Sequence, residues 1–401
     1  MFALRDRDGT LASVATVDRP RLLGPVPGLG SGLAAAIAQP ARVVELLDAA
    51  DVRGRGGANF STATKWRLAM GRPGPRIIVG NGGEHEPGSV KDAYLLSEHP
   101  DMVLEGLRIA AVVLGAGKAA LLLAGRLAGL AARLEDAADR LVKLIPDGPP
   151  VEIVVGPDDY LVGEETALVE VLEGKPAKPR FRPPLVGVRG YWSYPTVVQN
   201  VETLANVAWV MRACARHEPP PAVDTFLWTV WGTGREPVIG ESRFGTSVGA
   251  LLTAAGVQQW QAVTLGGYSG GVLRAAEAST PLLPAQLACD GLSLGSASFR
   301  VIGEDECLGA LAEEVLTFFA QESCGQCVPC SSGLRDSAAV LGGVASAQIC
   351  SLDAVDEYMR ELAGRGACRL PDGASATYRA LWARFSPEIV AHHDKRCGCH
   401  R

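Results

Sequence analysis

Apolar residues follow two rhythms along this chain. Short unbroken runs at 75–80, 119–124 and 151–155 read as buried strands. Between them lie stretches with helical spacing, the most apolar at 102–114. Strands separated by helices of this length predict an α/β layer with a largely parallel sheet. The rhythm changes over 226–300, where 226–231 and 260–265 read as strands around a short helix, with many Gly turns. That mixture predicts a small α+β domain. From about 303 the spacing turns helical again, and Leu308, Leu311, Val315, Leu316 and Phe319 form one apolar stripe. A further helix is predicted over 376–392, so the C-terminal part reads as a helical bundle.

The chain of 401 residues exceeds one ordinary core and implies two or three domains. Apolar residues make up 47% and charged residues 20%, a globular balance. Lys and Arg number 38 against 44 Asp and Glu, a net charge of −6, so no basic surface argues for nucleic acid. The apolar region 107–134 is broken by Arg108, Lys118, Arg126 and Arg133. It falls short of the roughly 20 unbroken residues of a membrane span. The first residues, Met1-Phe-Ala-Leu-Arg-Asp-Arg-Asp, lack the apolar core of a signal peptide. The expectation is a cytoplasmic protein that can dock peripherally on a membrane complex.

The strongest chemical signal is Cys324-Gly-Gln-Cys327-Val-Pro-Cys330, with Cys368 following after 37 residues. Three thiolates on one short turn and a remote fourth have the spacing of iron–sulfur ligands. Zinc is the competing reading, with Cys397-Gly-Cys399-His400 supplying a second pair. Cys350 is the next candidate for the fourth ligand after Cys368. Cys214, Cys289, Cys307 and Cys350 stand alone and otherwise read as small buried apolar side chains.

Three glycine-rich segments compete for a nucleotide. Gly28-Leu-Gly30-Ser-Gly32 lacks a preceding strand, and Gly115-Ala-Gly117 leads into a strand, so both read as turns. Gly54-Arg55-Gly56-Gly57-Ala58-Asn59-Phe60 runs into a helical stretch and offers bare backbone N–H groups to a phosphate. Arg55 and Lys65 would add charge there, and Phe60 a face for a flat ring. The strand at 75–80 opens into Asn81-Gly82-Gly83-Glu84-His85-Glu86-Pro87-Gly88, a polar loop at a strand's carboxyl end. After 151–155 come Tyr160, Gly163, Glu164 and Glu165, the two glutamates at the start of a helix that Gly174 ends.

Taken together, Arg53-Gly-Arg-Gly-Gly-Ala58, Lys65-Trp66, Glu84-x-Glu86-Pro87-Gly88-x-x-Lys91-Asp92, Gly163-Glu-Glu-Thr-Ala-Leu168, Asn200-Val-Glu-Thr-Leu204 and Glu322-Ser-Cys-Gly-x-Cys-x-Pro-Cys330 carry a resemblance. The chain resembles the NADH-binding flavoprotein subunits of respiratory complex I and the diaphorase subunits of NAD-linked hydrogenases and formate dehydrogenases. The resemblance implies an N-terminal extension over 1–44 and a Rossmann-like FMN/NADH-binding α/β domain over 45–225. It further implies a ubiquitin-like domain over 226–300 and a helical [4Fe-4S] domain over 301–401. Gly54, Arg55, Gly56, Gly57, Lys65, Asn81, Glu84, Tyr160, Gly163, Glu164, Glu165 and Asn200 would surround FMN, with Phe60 and Glu86 on the NADH side. Cys324, Cys327, Cys330 and Cys368 would hold the cluster, and no side chain would act as nucleophile or base. A multi-subunit redox complex is implied, with a thioredoxin-like [2Fe-2S] subunit as partner.

The chain departs from the family pattern at Gly83, where a carboxylate is usual, at Pro157-Asp158-Asp159 and at Asn59. Leu68 and Leu185 stand where aromatic rings are common, and Arg182 where a lysine is. These changes bear on NADH, and they frame the alternative of an electron-transfer or assembly subunit that keeps the cluster without using NADH.

Overall fold

The structure, a computed structural model, describes residues 13–15, 20–24, 28–344, 346 and 349–400. The charged start of the chain, read above for targeting, lies outside them, as does much of the expected 1–44 extension. The chain divides into two compact units, one of 1–85, 89–228 and 239–243, the other of 86–88, 229–238 and 244–401.

In the first unit, β1 (Ser13–Ala15) pairs in parallel with Ile239–Glu241. The main sheet consists of β2 (Arg76–Gly82), β3 (Ala116–Leu123), β4 (Val151–Val155) and β5 (Thr196–Asn200), in the order β4-β3-β2-β5 and parallel throughout. Ile77, Ile78 and Val79 on β2 and Ala119 to Leu123 on β3 are buried. That burial is why these strands read as continuous apolar runs rather than alternating ones. β3 starts three residues earlier than the apolar run, because Gly115 takes the left-handed conformation (φ 58°) that ends the helix Pro100–Leu114. β5 escapes the apolar-run reading because its Gln199 and Asn200 are polar.

Helices Pro100–Leu114 and Val201–Ala215 pack at the core of this unit. A Cβ on Gly106 would sit 1.9 Å from the Leu204 carbonyl oxygen, so the two backbones are in direct contact there. Around this contact Leu104, Leu107, Ile109, Leu204, Ala205, Val207 and Ala208 are inaccessible to water. Burial of this kind contributes roughly 25 cal/mol per Å² of apolar surface.

β6 (Thr225–Gly232) and β7 (Arg235–Arg243) each contribute residues to both units. In the second unit, β10 (Ser298–Ile302) pairs in parallel with Thr229–Trp231 and antiparallel with β8 (Ala262–Thr264). β8 in turn pairs antiparallel with β9 (Val272–Arg274). Helices Leu308–Gln321, Leu352–Glu361 and Leu370–His393 follow. All five residues of the stripe from Leu308 to Phe319 are buried. The last helix begins six residues before the 376–392 expectation and breaks at Phe385 (φ −139°), two residues ahead of Pro387. Proline has no N–H and crowds the preceding turn, which accounts for the break. Among the described residues no helix is long and apolar enough to cross a membrane.

Candidate functional site

From β2 the chain runs outward through β3 to β4, then returns to lay β5 on the other side of β2. Strand order therefore reverses between β2 and β5, and open parallel sheets bind ligands at the carboxyl ends of such a pair. Asn81 and Asn200 stand opposite each other at that point. Asn81 Nδ2 donates to the Gly163 carbonyl at 3.0 Å, and its Oδ1 accepts from the Gly83 N–H at 2.9 Å. Asn200 Oδ1 caps the helix Val201–Ala215 by accepting from the Glu202 N–H at 2.9 Å. A Cβ on Gly56 would lie only 3.4 Å from Asn200 Cβ, so the glycine loop reaches the same crevice. Four segments far apart in sequence converge there.

The glycine loop is closed on itself. Gly54 N–H donates to the Phe60 carbonyl at 2.8 Å, and Arg53 bridges to Ser61. The helix that follows, Thr62–Met70, is capped by the Ser61 hydroxyl, 3.2 Å from Thr64 N. The loop thus stands before the helix as a separate turn and does not form the helix's own first turn. Gly57 has φ 109°, a conformation costly for any residue with a Cβ. Such a turn still presents bare N–H groups suited to an anion.

A ring of charge flanks the crevice. Lys65 Nζ donates to Glu165 and to the Val198 carbonyl, both at 2.8 Å. Arg182 pairs with Glu164 and reaches Glu165 at 3.3 Å. Burial works to raise the Glu165 carboxyl, but Lys65 and Arg182 outweigh it and hold it below the usual carboxylate range. Glu164 also accepts from the Thr166 and Ala167 N–H groups at 2.9 Å, so it caps the helix Glu165–Leu172.

Other expected residues are turned elsewhere. Glu84 is buried and accepts from Ser89 Oγ at 2.5 Å, Asp92 N at 3.0 Å and Ala93 N at 2.9 Å, at the start of the helix Lys91–Glu98. The Arg55 guanidinium is buried 3.9 Å from Glu202, and burial pushes it down to about 10. Its charge is therefore directed at Glu202, while its backbone N–H donates to Thr203 Oγ1 at 2.9 Å. Phe60 is 52% exposed, and Tyr160 begins the short turn Tyr160–Gly163. Glu86 belongs to the second unit, where it accepts from the Tyr268 N–H at 2.8 Å.

Sequence reasoning did not assign a role to the buried charges beneath this crevice. Lys91 Nζ lies 2.6 Å from Asp92 and 3.1 Å from Glu202, and Asn200 Nδ2 donates to Asp92 at 2.6 Å. Burial pushes Asp92 up to about 7, with Glu84 and Glu202 adding to the shift and Lys91 opposing it. The signal was present in the motif, since Lys91-Asp92 follows the Glu84–Gly88 loop directly. At the Gly83 departure, a Cβ would meet Asn81 Oδ1 at 3.1 Å and His85 Cε1 at 3.5 Å. His85 Nε2 lies 3.2 Å from Asp158, yet burial and Arg126 keep its imidazole below the ordinary value.

In the second unit, the cysteine turn folds as its residues suggest. Gly325 takes φ 68°, its N–H donates to Ser323 Oγ at 3.1 Å, and Cys330 N–H donates to the Cys327 carbonyl at 3.0 Å. Burial pushes the Cys330 thiol up to about 12; a Ser323 hydrogen bond opposes this, and Cys327 and Cys368 reinforce it. A cationic metal centre reverses the balance, because a coordinating thiol is deprotonated. Cys350 is exposed, and so is Cys289, while Cys214 and Cys307 are half-buried. The expectation of buried apolar fillers is corrected for Cys350 and Cys289, the latter ending a short helix, Pro284–Cys289, whereas Cys214 packs half-buried against the core. The tail thiols Cys397 and Cys399 gather with Cys307 and His392 and do not complete the turn.

Residues 47–209 match the family model described as the Nuo51 FMN-binding domain. Residues 310–392 match the NADH-ubiquinone oxidoreductase-F iron-sulfur binding region. The chain is 34% identical to the NADH-quinone oxidoreductase F 2 subunit of Rhizobium meliloti, over 90% of this chain and 91% of that one. It is 32% identical to the NAD-reducing hydrogenase HoxS subunit alpha of Cupriavidus necator, over 79% of this chain and 54% of that one. Among solved structures it is similar to an NAD+-reducing [NiFe]-hydrogenase in the H2-reduced state. There the TM-score is 0.84 at 31% identity, covering 96% of this chain and 68% of that chain.

Proposed function

The chain belongs to the family of NADH-quinone oxidoreductase F subunits, with its FMN-binding and [4Fe-4S] regions, and on that premise we propose that it oxidises NADH and passes the electrons to a partner subunit. The observation that carries this reading is the convergence of Gly56, Asn81, Gly163 and Asn200 at the sheet's switch point, inside the FMN-binding stretch. Bound FMN would supply the chemistry of accepting one hydride, an electron pair with its hydrogen, from NADH and releasing the two electrons singly. The residues present suit that group. The glycine loop offers backbone N–H groups to the phosphate, Lys65 supplies nearby positive charge, and the asparagine amides offer donors and acceptors to a flavin ring. Glu165 is held ionised by Lys65 and Arg182, and so tunes charge rather than moving protons, while Glu164 caps the helix that follows. Cys324, Cys327, Cys330 and Cys368 are the ligands assigned to the cluster.

The finer assignments belong to the same proposal. They are a ubiquitin-like domain over 226–300, Phe60 and Glu86 on the NADH side, and a thioredoxin-like [2Fe-2S] subunit as the acceptor. A second reading, electron transfer or assembly without NADH, is favoured by one observation. Where an additional carboxylate would stand at Gly83, His85 and Asp158 are already paired. Leu68 and Leu185 in place of two aromatic rings cost about 1–3 kcal/mol. That weakens NADH binding roughly five- to 150-fold without abolishing it.

Anaerobic NADH titration of purified FMN-containing protein decides between the two. Bleaching of the flavin's visible band is the expected result, at NADH concentrations above those ordinary for such enzymes. A flavin that dithionite reduces but NADH does not would assign the chain to the second reading.

A further inference from the structure

Cys307, His392, Cys397 and Cys399 place one ligand atom each within 4.8 Å of one another, apart from every residue assigned to flavin or cluster. The four come from three places in the fold. Cys307 precedes the helix Leu308–Gln321, His392 is in the last turn of Leu370–His393, and the two remaining thiols follow on the tail. His392 Nδ1 lies 3.5 Å from Cys307 Sγ, 3.4 Å from Cys397 Sγ and 3.3 Å from Cys399 Sγ. A tetrahedron with ordinary Zn–S and Zn–N lengths has S···N edges of about 3.6 Å, close to all three. The other imidazole nitrogen, Nε2, is 3.0 Å from Glu313 Oε2. Donation from Nε2–H to that carboxylate leaves the Nδ1 lone pair facing the sulfurs, the carboxylate–histidine–metal arrangement common around zinc.

The packing supports a built site. His392 is only 4% exposed, and a Cβ on Gly309 would fall 2.2 Å from His392 Cβ, so the glycine admits the imidazole. The Cys397 and Cys399 sulfurs are 2.7 Å apart, too far for a disulfide bond of about 2.05 Å. They would open by about 1 Å around an ion, since tetrahedral S···S edges are about 3.8 Å. Ligand atoms this close together enclose a single ion and leave no room for the separated ligand pairs of a cluster.

We propose that Cys307, His392, Cys397 and Cys399 form a second metal centre, a structural Cys3His site for one Zn2+ ion, with Glu313 as a positioning residue. The centre has no open position and takes no part in electron transfer. It fastens the tail to the start of one helix and the end of another.

Metal analysis of the full chain as purified tests this. About one zinc per chain is expected beside the cluster iron. Cys399→Ser and Cys307→Ser should lose that zinc while keeping iron and flavin, and Cys327→Ser should lose iron while keeping zinc. In zinc-stripped wild-type chain, Co2+ should give the intense visible bands of a tetrahedral thiolate site. Glu313→Gln should raise the Co2+ concentration needed by about 10–100-fold. The opposite pattern of metal loss would place the zinc at the cysteine turn and overturn the proposal. So would the absence of both zinc and Co2+ bands in reduced wild-type chain, or a Cys397–Cys399 disulfide that takes up no metal after reduction.

Discussion

At the scale of single residues, the buried charges around Asp92 dominate. Three carboxylates, Glu84, Asp92 and Glu202, surround Lys91 with little access to water, and one of them must hold a proton or pay in electrostatic energy. Asp92 is the one pushed up to about 7, from an ordinary 3.8. In the unfolded chain it ionises freely, so between about pH 4 and 7 the folded state binds more protons than the unfolded. Stability from this group is therefore complete at low pH and is lost as pH rises through that window. Asp92→Asn should flatten this part of the pH profile in urea unfolding; an unchanged slope would show that another group carries the proton. This is also where the sequence was least legible. Lys91 and Asp92 were visible in a motif, but burial decides their charge, and burial is a property of the fold. Arg55 shows the same limit, since nothing in Gly-Arg-Gly-Gly says that the guanidinium turns inward to Glu202.

Secondary-structure elements were easier to read. β2, β4, β6 and the helix Leu308–Gln321 lie where apolar rhythm put them: β2 and β6 bury nearly continuous stretches and the helix one stripe, whereas β4, expected to be buried, is an edge strand in which only Val151 is buried. β8 falls inside the 260–265 run read as a strand, whereas β5 and the three-residue β9 carry too few apolar positions to announce themselves. The contact between Pro100–Leu114 and Val201–Ala215 was not legible either, because it depends on one missing side chain. Gly106→Ala would drive a methyl into the Leu204 carbonyl, and a backbone cannot swing aside as a side chain does. The expected cost is at least about 1–3 kcal/mol, read as a lower melting temperature of the full chain. A melting point equal to wild type would mean that the helices separate freely.

At the scale of the whole molecule, the residues proposed to surround the flavin and the cysteines proposed to hold the cluster belong to different compact units. Cys368→Ser should therefore strip most of the iron while FMN content stays near wild type; full iron retention would point to Cys350 as the fourth ligand. The sequence made the cluster legible through spacing alone, since three ligands share one short turn. It did not show the second quartet, whose members are separated by up to 92 positions along the chain and meet only through helix ends. That quartet has one more consequence. Cys324, Cys327, Cys330 and Cys368 all fall between Cys307 and His392 in the chain. An ion holding Cys307 to Cys397 closes a loop around them, and a closed loop has fewer conformations to search. The cluster's ligands would then stay close together before any iron arrives, which makes the zinc clip a scaffold for cofactor maturation.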